Sequence, residues 1–409
     1  MTRRRVPIAV VAVAAVAAAA ALLHHREPRR GAETARVRTG PAAVRPVDWP
    51  TYGFVPARTH AAPFALVPPF RVLWKQTADW SLIEFPPVVA GGRLYFGTNH
   101  GLVLALDAAT GDVVWRRELG RCIASSPAVD GVVVIVGVMG TPASCDEDVP
   151  SFVVALDRRD GRTRWLFRTG GPVESSPLVV GRLVVVGSWD GSVFALDAAS
   201  GRIRWRFATH GPVKGGAALA RGIVFAGSYD GFVYALDAGN GNIRWKADAG
   251  GRIYATPSVA DGRVVVASTD GVVHAFASAG GAELWSRRIG RFAYSAAALT
   301  GGRAYVGSYD HRLYALDAAN GAVLWTRLGP GPVSGAPAAI GRLIWFSTCG
   351  SCSSYESNPR ARRTFVVDAL TGEPVWSFPD GEYSPAVTDG LRVYLTGYTA
   401  LYGLAPARR

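Results

Sequence analysis

The stretch Ser188-Trp189-Asp190-Gly191-Ser192-Val193-Phe194-Ala195-Leu196-Asp197-Ala198-Ala199-Ser200-Gly201-Arg202-Ile203-Arg204-Trp205 decides the fold. Asp190-Gly191 supplies a tight hairpin turn, because glycine takes positive φ at no steric cost. Residues 192–196 form a short apolar strand, and Asp197 to Gly201 form a second turn whose carboxylate can accept backbone N–H bonds. Residues 203–207 make an outer strand carrying Trp205. Working outward, residues 173–180 read as a first strand ended by Gly181-Arg182, and residues 183–188 as a β-branched buried strand. Four antiparallel strands follow one another.

The unit repeats. Asp, Gly and Trp recur at Asp107/Gly111/Trp115, Asp157/Gly161/Trp165, Asp197/Gly201/Trp205, Asp237/Gly241/Trp245, Asp317/Gly321/Trp325 and Asp368/Gly372/Trp376. A degenerate copy has Ala277 ahead of Gly281 and Trp285. From Trp115 the Trp spacings are 50, 40, 40, 40, 40 and 51, and the two long intervals hold insertions at 139–150 and 347–364. A period of this size with short strands marks a blade array. The last unit, 383–404, has three strands, whereas the segment around Trp74 is an outer strand with no unit before it. Pairing them leaves no open sheet edge. The expected fold is an all-β, eight-bladed propeller of four-stranded antiparallel blades, closed by an N-terminal strand, with one N-terminal hydrophobic helix. Trp74, Trp115, Trp165, Trp205, Trp245, Trp285, Trp325 and Trp376 are the expected docking residues between neighbouring sheets. A monomer is expected.

Composition narrows the function classes. The 409 residues are 49% apolar and 18% charged, which excludes disorder over most of the length. The net charge of +13 is uneven. Residues 1–48 carry nine Arg against Glu27, Glu33 and Asp48, so nearly half of the excess lies before the repeats. No concentrated basic face follows apart from Arg360, Arg362 and Arg363, and nucleic acid is not an expected partner. Arg3, Arg4 and Arg5 precede an apolar run over 6–23, which suits a signal anchor or signal peptide and places the rest outside the cytoplasm, tethered to the membrane or secreted. Residues 24–47 read as an Arg/Ala/Pro-rich stalk, 48–405 as the propeller and 406–409 as a tail.

The 188–205 repeat core resembles the tryptophan-docking repeat of pyrroloquinoline-quinone-type (PQQ-type) eight-bladed propellers. The lead-in Trp49-Pro50-Thr51-Tyr52-Gly53-Phe54 is similar to the segment preceding the first blade in that family. WD40 propellers share the period, but only Trp189-Asp190 offers their dipeptide, and inside a turn. The resemblance implies either a quinoprotein dehydrogenase or a non-enzymatic scaffold like the propeller lipoprotein of the outer-membrane barrel assembly machinery. Fold alone does not choose between them.

Register puts one residue of each unit at the channel mouth, about nine after each docking Trp: Glu84, Ala124, Glu174, Lys214, Tyr254, Tyr294, Ser334 and Glu382. This ring is the candidate ligand site; its plainer reading is a solvated rim. A dehydrogenase would need Ca²⁺ on hard oxygen ligands, a carboxylate base and a stacking platform. The adjacent-cysteine pair of many such enzymes is missing, and the insertions are short. No catalytic residue, metal site or cofactor is therefore expected, with PQQ and Ca²⁺ reserved for the dehydrogenase alternative. The expected role is a binding or assembly scaffold with a protein or peptide partner in the cell envelope; a ligand-sensing ectodomain is the second alternative. Cys122–Cys145 and Cys349–Cys352 are the expected disulfides in an oxidising setting. Ser353 stands where haem attachment would need His. Trp189, Tyr229 and Tyr309, each before the Asp of a hairpin turn, could form a carbohydrate or peptide platform; the commoner arrangement, and the expected one, is packing on the next blade's loop. The seven His show no metal-ligand spacing.

Overall fold

The computed structural model describes residues 46–77, 85–141, 143–352, 358–383 and 386–407. The expected helix over 1–23, most of the stalk and Glu84 lie outside the described residues. Among the described residues, no helix is long and apolar enough to cross a membrane.

Eight antiparallel four-stranded sheets follow the repeat. In the third blade the strands are Leu178–Val180, Leu183–Gly187, Ser192–Asp197 and Ile203–Ala208. We number the others in chain order as 88–118, 128–169, 218–248, 258–288, 298–328 and 338–378 for blades one, two, four, five, six and seven. The eighth joins Ala386–Thr388, Val393–Thr396 and Ala400–Pro406 to Phe70–Thr77, with Phe70 opposite Pro406 and Thr77 opposite Ala400. The sheet that begins with the last strands of the sequence is thus finished by an early one, and the ring closes without an exposed ladder.

The repeat residues explain the blade junctions. The Asp197 carboxylate accepts the N–H groups of Ala199 and Ser200, both at 3.2 Å, and Gly201 takes φ +68°. A Cβ on Gly201 would lie 2.6 Å from the Trp165 ring of the preceding blade, whose indole N–H donates to the Ala198 carbonyl at 2.8 Å. The missing side chain lets the Trp lie flat on the turn, covering the sheet face and satisfying its one polar atom. The same contact joins Trp74 to Gly111, Trp115 to Gly161, Trp205 to Gly241, Trp245 to Gly281, Trp285 to Gly321 and Trp325 to Gly372. Trp376 differs. The composite eighth blade has no such turn, and Trp376 packs instead on Phe70 and Trp345 at 5.3 and 5.7 Å between ring centroids.

Inner strands are shorter than their hydrophobic runs. The third blade's begins at Leu178, not at 173. Prolines at 87, 127, 177, 257 and 337 directly precede five of these strands. A proline has no N–H for the ladder, so pairing starts after it. The mouth residues therefore stand four positions ahead of each inner strand, on connecting segments. Cys122 likewise starts no strand; it forms an isolated bridge with Met139.

The segment at 47–62 runs along the channel and bonds to every blade in turn. Val47 N–H donates to Asp389, and Trp49 exchanges two bonds with Val89. The carbonyls of Pro50, Pro56, Ala57, Thr59 and His60 accept from Val129, Leu219, Val259, Leu299 and Ala339, each at 2.8 Å. Ala61–Ala62 adds a parallel strand beside Ala338–Ile340 of the seventh blade. Backbone groups that the innermost strands would leave unpaired are satisfied this way. The third blade is reached through Arg58, wholly buried, whose guanidinium donates to the carbonyls of Ser176 and Pro177 at 3.2 and 2.9 Å, of Ala217 at 2.9 Å and of Tyr52, and to the Thr51 hydroxyl at 2.7 Å. Burial lowers its pKa to about 9. His60 is buried beside it, and burial, then the Arg58 charge, lowers its pKa to about 3.

Candidate functional site

The repeat's fixed register brings side chains from consecutive blades together at one mouth. Glu174, ahead of the third blade, is half-buried, its side chain 11% exposed. Trp189 Nε1, on its own blade's hairpin, donates to its Oε2 at 3.1 Å, and the Tyr254 hydroxyl of the fifth blade donates to Oε1. Lys214 of the fourth blade holds its ammonium 3.9 Å from Oε2, beyond direct hydrogen bonding. That ammonium lies instead 3.4 Å from the Trp189 ring centroid and 5.1 Å from that of Tyr229. Cation–π attraction thus does most of the positioning. Desolvation pushes the Glu174 pKa up, with the nearby Asp146 adding to it; the Lys214 charge and the bonds from Tyr254 and Trp189 oppose the rise.

An aromatic arc continues around the mouth. Tyr229 and Tyr254 lie 6.5 Å apart, and Tyr254–Tyr294 and Tyr294–Tyr309 meet edge to face at 5.3 and 5.1 Å. The hydroxyls of Tyr309 and Ser334 share a 3.0 Å hydrogen bond. A small recess of about 30 Å³, open to solvent, is lined by Glu174, Lys214, Tyr254, Tyr294, Tyr52 of the channel segment and Phe85. Of the mouth residues read from the sequence, Glu174, Lys214, Tyr254 and Tyr294 converge here, and Ser334 joins the arc's end. Ala124 is buried with no polar atom to offer.

Glu382 stands apart. It is fully buried and held by the N–H groups of Gly350 and Ser351 at 3.2 and 3.0 Å, the Ser351 hydroxyl at 2.8 Å and Arg362 Nε at 3.0 Å. All of these belong to the seventh blade's insertion. That insertion also carries the Cys349–Cys352 disulfide, and the second blade's is tied back by Cys122–Cys145.

Trp189, Tyr229 and Tyr309 pack on the next blade's connecting segment as the sequence suggests, against Lys214, Tyr254 and Ser334, and those contacts also place them beside the mouth. The available signal was their position: one residue before the hairpin Asp, where the fifth blade has Thr269. Three blades carry an aromatic ring there that the hairpin itself does not require.

The mouth does not suit a quinone with Ca²⁺. Among the described residues no group of three or more His, Cys, Asp or Glu could hold a metal ion. Each Glu174 oxygen already accepts one hydrogen bond, from an indole and from a phenol, and the Trp189 face, the natural stacking platform, is covered by the Lys214 ammonium.

The comparisons agree with this architecture. A family model described as outer membrane protein assembly factor BamB matches residues 71–146, 147–213, 189–290 and 269–405. No curated protein sequence matches significantly. Among solved structures, BamB from Moraxella catarrhalis has a TM-score of 0.66 at 19% identity, covering 84% of this chain and 99% of that one. Quinohemoprotein alcohol dehydrogenase from Comamonas testosteroni has a TM-score of 0.73 at 14% identity, covering 90% and 82%. The computationally designed Ika8 protein has 0.66 at 15%, covering 84% and 100%. At these identities the likeness concerns fold alone, and one fold serves an assembly factor, a dehydrogenase and a designed protein.

Proposed function

We propose, from the premise that this chain belongs to the family of outer membrane protein assembly factor BamB, that it is a non-catalytic binding scaffold of the cell envelope. It is held outside the cytoplasm by its N-terminal hydrophobic segment and offers its mouth to a protein or peptide partner. The supporting observation is the Glu174–Lys214 pair, set by neighbouring blades on a floor of Trp189, Tyr229 and Tyr254 and opening into the recess. A partly buried ion pair with spare hydrogen-bonding capacity and an aromatic surround gives a polypeptide both orientation and apolar area. Among the described residues no cluster of His, Cys, Asp or Glu that could hold a metal ion lies there.

Two measurements on the full chain in detergent test this. Supplied with PQQ, Ca²⁺ and an electron-accepting dye, it is expected to oxidise neither alcohols nor sugars; turnover well above a no-protein control overturns the reading. A photo-crosslinking residue replacing Tyr294, which lines the recess, is expected in the native envelope to capture a discrete polypeptide that the same residue at Ile243, on an outer strand, does not. Equal capture at both positions removes the mouth as the binding surface.

A further inference from the structure

Away from this mouth pair, the seventh blade's insertion holds a second chemical cluster. Cys349-Gly350-Ser351-Cys352 carries a disulfide whose two sulfurs differ in setting. Cys349 is buried at 2% exposure, whereas Cys352 is partly exposed. Cys349 Sγ lies 3.1 Å from Oε1 of Glu382, itself wholly buried and oriented by Gly350, Ser351 and Arg362. The other disulfide shares the split in burial, Cys122 being buried and Cys145 partly exposed, but the polar neighbour of its sulfur is a carbonyl: Cys145 Sγ lies 3.8 Å from the Asn99 oxygen.

We propose that Cys349, Cys352 and Glu382 form a thiol–disulfide exchange site acting on cysteine disulfides and dithiols. Exchange requires one sulfur that a partner can reach, a second that resolves the mixed disulfide, and a group to carry the resolving thiol's proton. Cys352, Cys349 and Glu382 hold these places. In the reduced chain, the Cys352 thiolate attacks a substrate disulfide, whose S–S bond breaks. One substrate thiolate leaves and is protonated by solvent. The Cys349 thiol then passes its proton to Glu382, and its thiolate attacks Cys352 Sγ. The mixed disulfide breaks, the second substrate thiolate leaves and is protonated, and the Cys349–Cys352 bond re-forms. Two electrons pass to the substrate, and a dithiol running the same steps backward restores the reduced pair.

The test uses the full chain in detergent with graded dithiothreitol, alkylation and mass mapping of both disulfides. Cys349–Cys352 is expected to open and re-close reversibly while Cys122–Cys145 stays closed and the chain stays folded. Opening only together with Cys122–Cys145, or only on unfolding, overturns the proposal. Two single-cysteine variants assign the roles. Cys349→Ala is expected to form a mixed disulfide at Cys352 with oxidised glutathione or a disulfide-bonded peptide at least about tenfold faster than Cys352→Ala does at Cys349. The faster probe identifies the kind of substrate; equal rates at the two sulfurs, or reaction with neither probe, overturn the assignment. Glu382→Gln is expected to slow ring closure about tenfold. In the Cys349→Ala background the same change is expected to leave mixed-disulfide formation at Cys352 unaltered, a split that mere loosening of the loop would not produce.

Discussion

Glu174 and Glu382 stand at the same register, four residues ahead of an inner strand, Glu382 wholly buried and Glu174 partly exposed, and the molecule uses them in opposite ways. Glu382 takes its hydrogen bonds from one insertion, with Arg362 at 3.0 Å and the N–H groups and hydroxyl of Gly350 and Ser351 around it. Glu174 gathers an indole from its own blade, an ammonium from the next and a phenol from the one after, and it faces a recess. A carboxylate served from within one loop fixes that loop. One assembled across blades, with its cation 3.9 Å away and resting on aromatic rings, keeps capacity for a guest. The equal spacing of the repeat makes such convergence possible, because side chains 40 residues apart in sequence meet around one axis.

The largest effect that can break the comparison is at Glu382. Its removal as Glu382→Ala leaves Arg362 and two N–H groups without their acceptor inside the seventh-blade insertion. Losing one partner of a buried, hydrogen-bonded ion pair costs about 3–5 kcal/mol, expected as a lowered denaturant midpoint at unchanged slope. If Glu382→Ala proves no more damaging than Glu174→Ala, the two carboxylates are not the fixed and the open member of a pair. A smaller effect is expected for Tyr254→Phe, which removes one hydrogen bond to Glu174, worth about 1.5–3 kcal/mol when the acceptor is charged. Because that bond holds the Glu174 pKa down, the variant is also expected to titrate Glu174 at higher pH by carboxyl NMR. A downward move contradicts the assigned cause. Lys214→Met keeps the stem and deletes the ammonium above Trp189; about 0.5–2 kcal/mol of cation–π stabilisation is expected to go, with loss of the mouth cross-link and no change at Cys349–Cys352.

The ring itself was legible because its signal is redundant. Gly201 and Trp205 have counterparts at fixed offsets in every full unit, and Asp197 in all but the fifth, where Ala277 stands; the orphan strand at Trp74 matched the missing strand of the last. Glu174, Lys214, Tyr254 and Tyr294 were legible as one register position, since period alone carries them to one face. The channel segment was not. Its hydrogen bonds to the blades run through backbone carbonyls, which no side-chain pattern encodes, and Arg58 reads in the sequence as one more arginine of an arginine-rich chain although it is wholly buried. The split between Glu174 and Glu382 was equally hidden. It depends on how the 347–364 insertion folds back, and an insertion breaks the very periodicity that made the other positions readable.

The finest test of the comparison is the pH dependence of Glu174→Gln, expected to change stability by no more than about 1 kcal/mol at neutral pH, because the glutamine oxygen can still accept from the Trp189 indole while its amide N–H donates to the Tyr254 hydroxyl. Its sign is what discriminates. Desolvation raises the Glu174 pKa in the folded chain above its ordinary value of about 4.5. Between that value and the raised one, the folded chain binds more protons than the unfolded chain, so stability falls as pH rises. The contribution is fully present below the unfolded pKa and is lost as pH climbs through the folded one. Glutamine does not titrate, so the variant is expected to gain on the wild-type chain as pH rises above about 4.5, read as the difference between their denaturant midpoints. A difference that is flat, or that moves against the variant, would mean Glu174 is as well paired as an ion as Glu382 is, and the open mouth would have to be reassigned as a closed one.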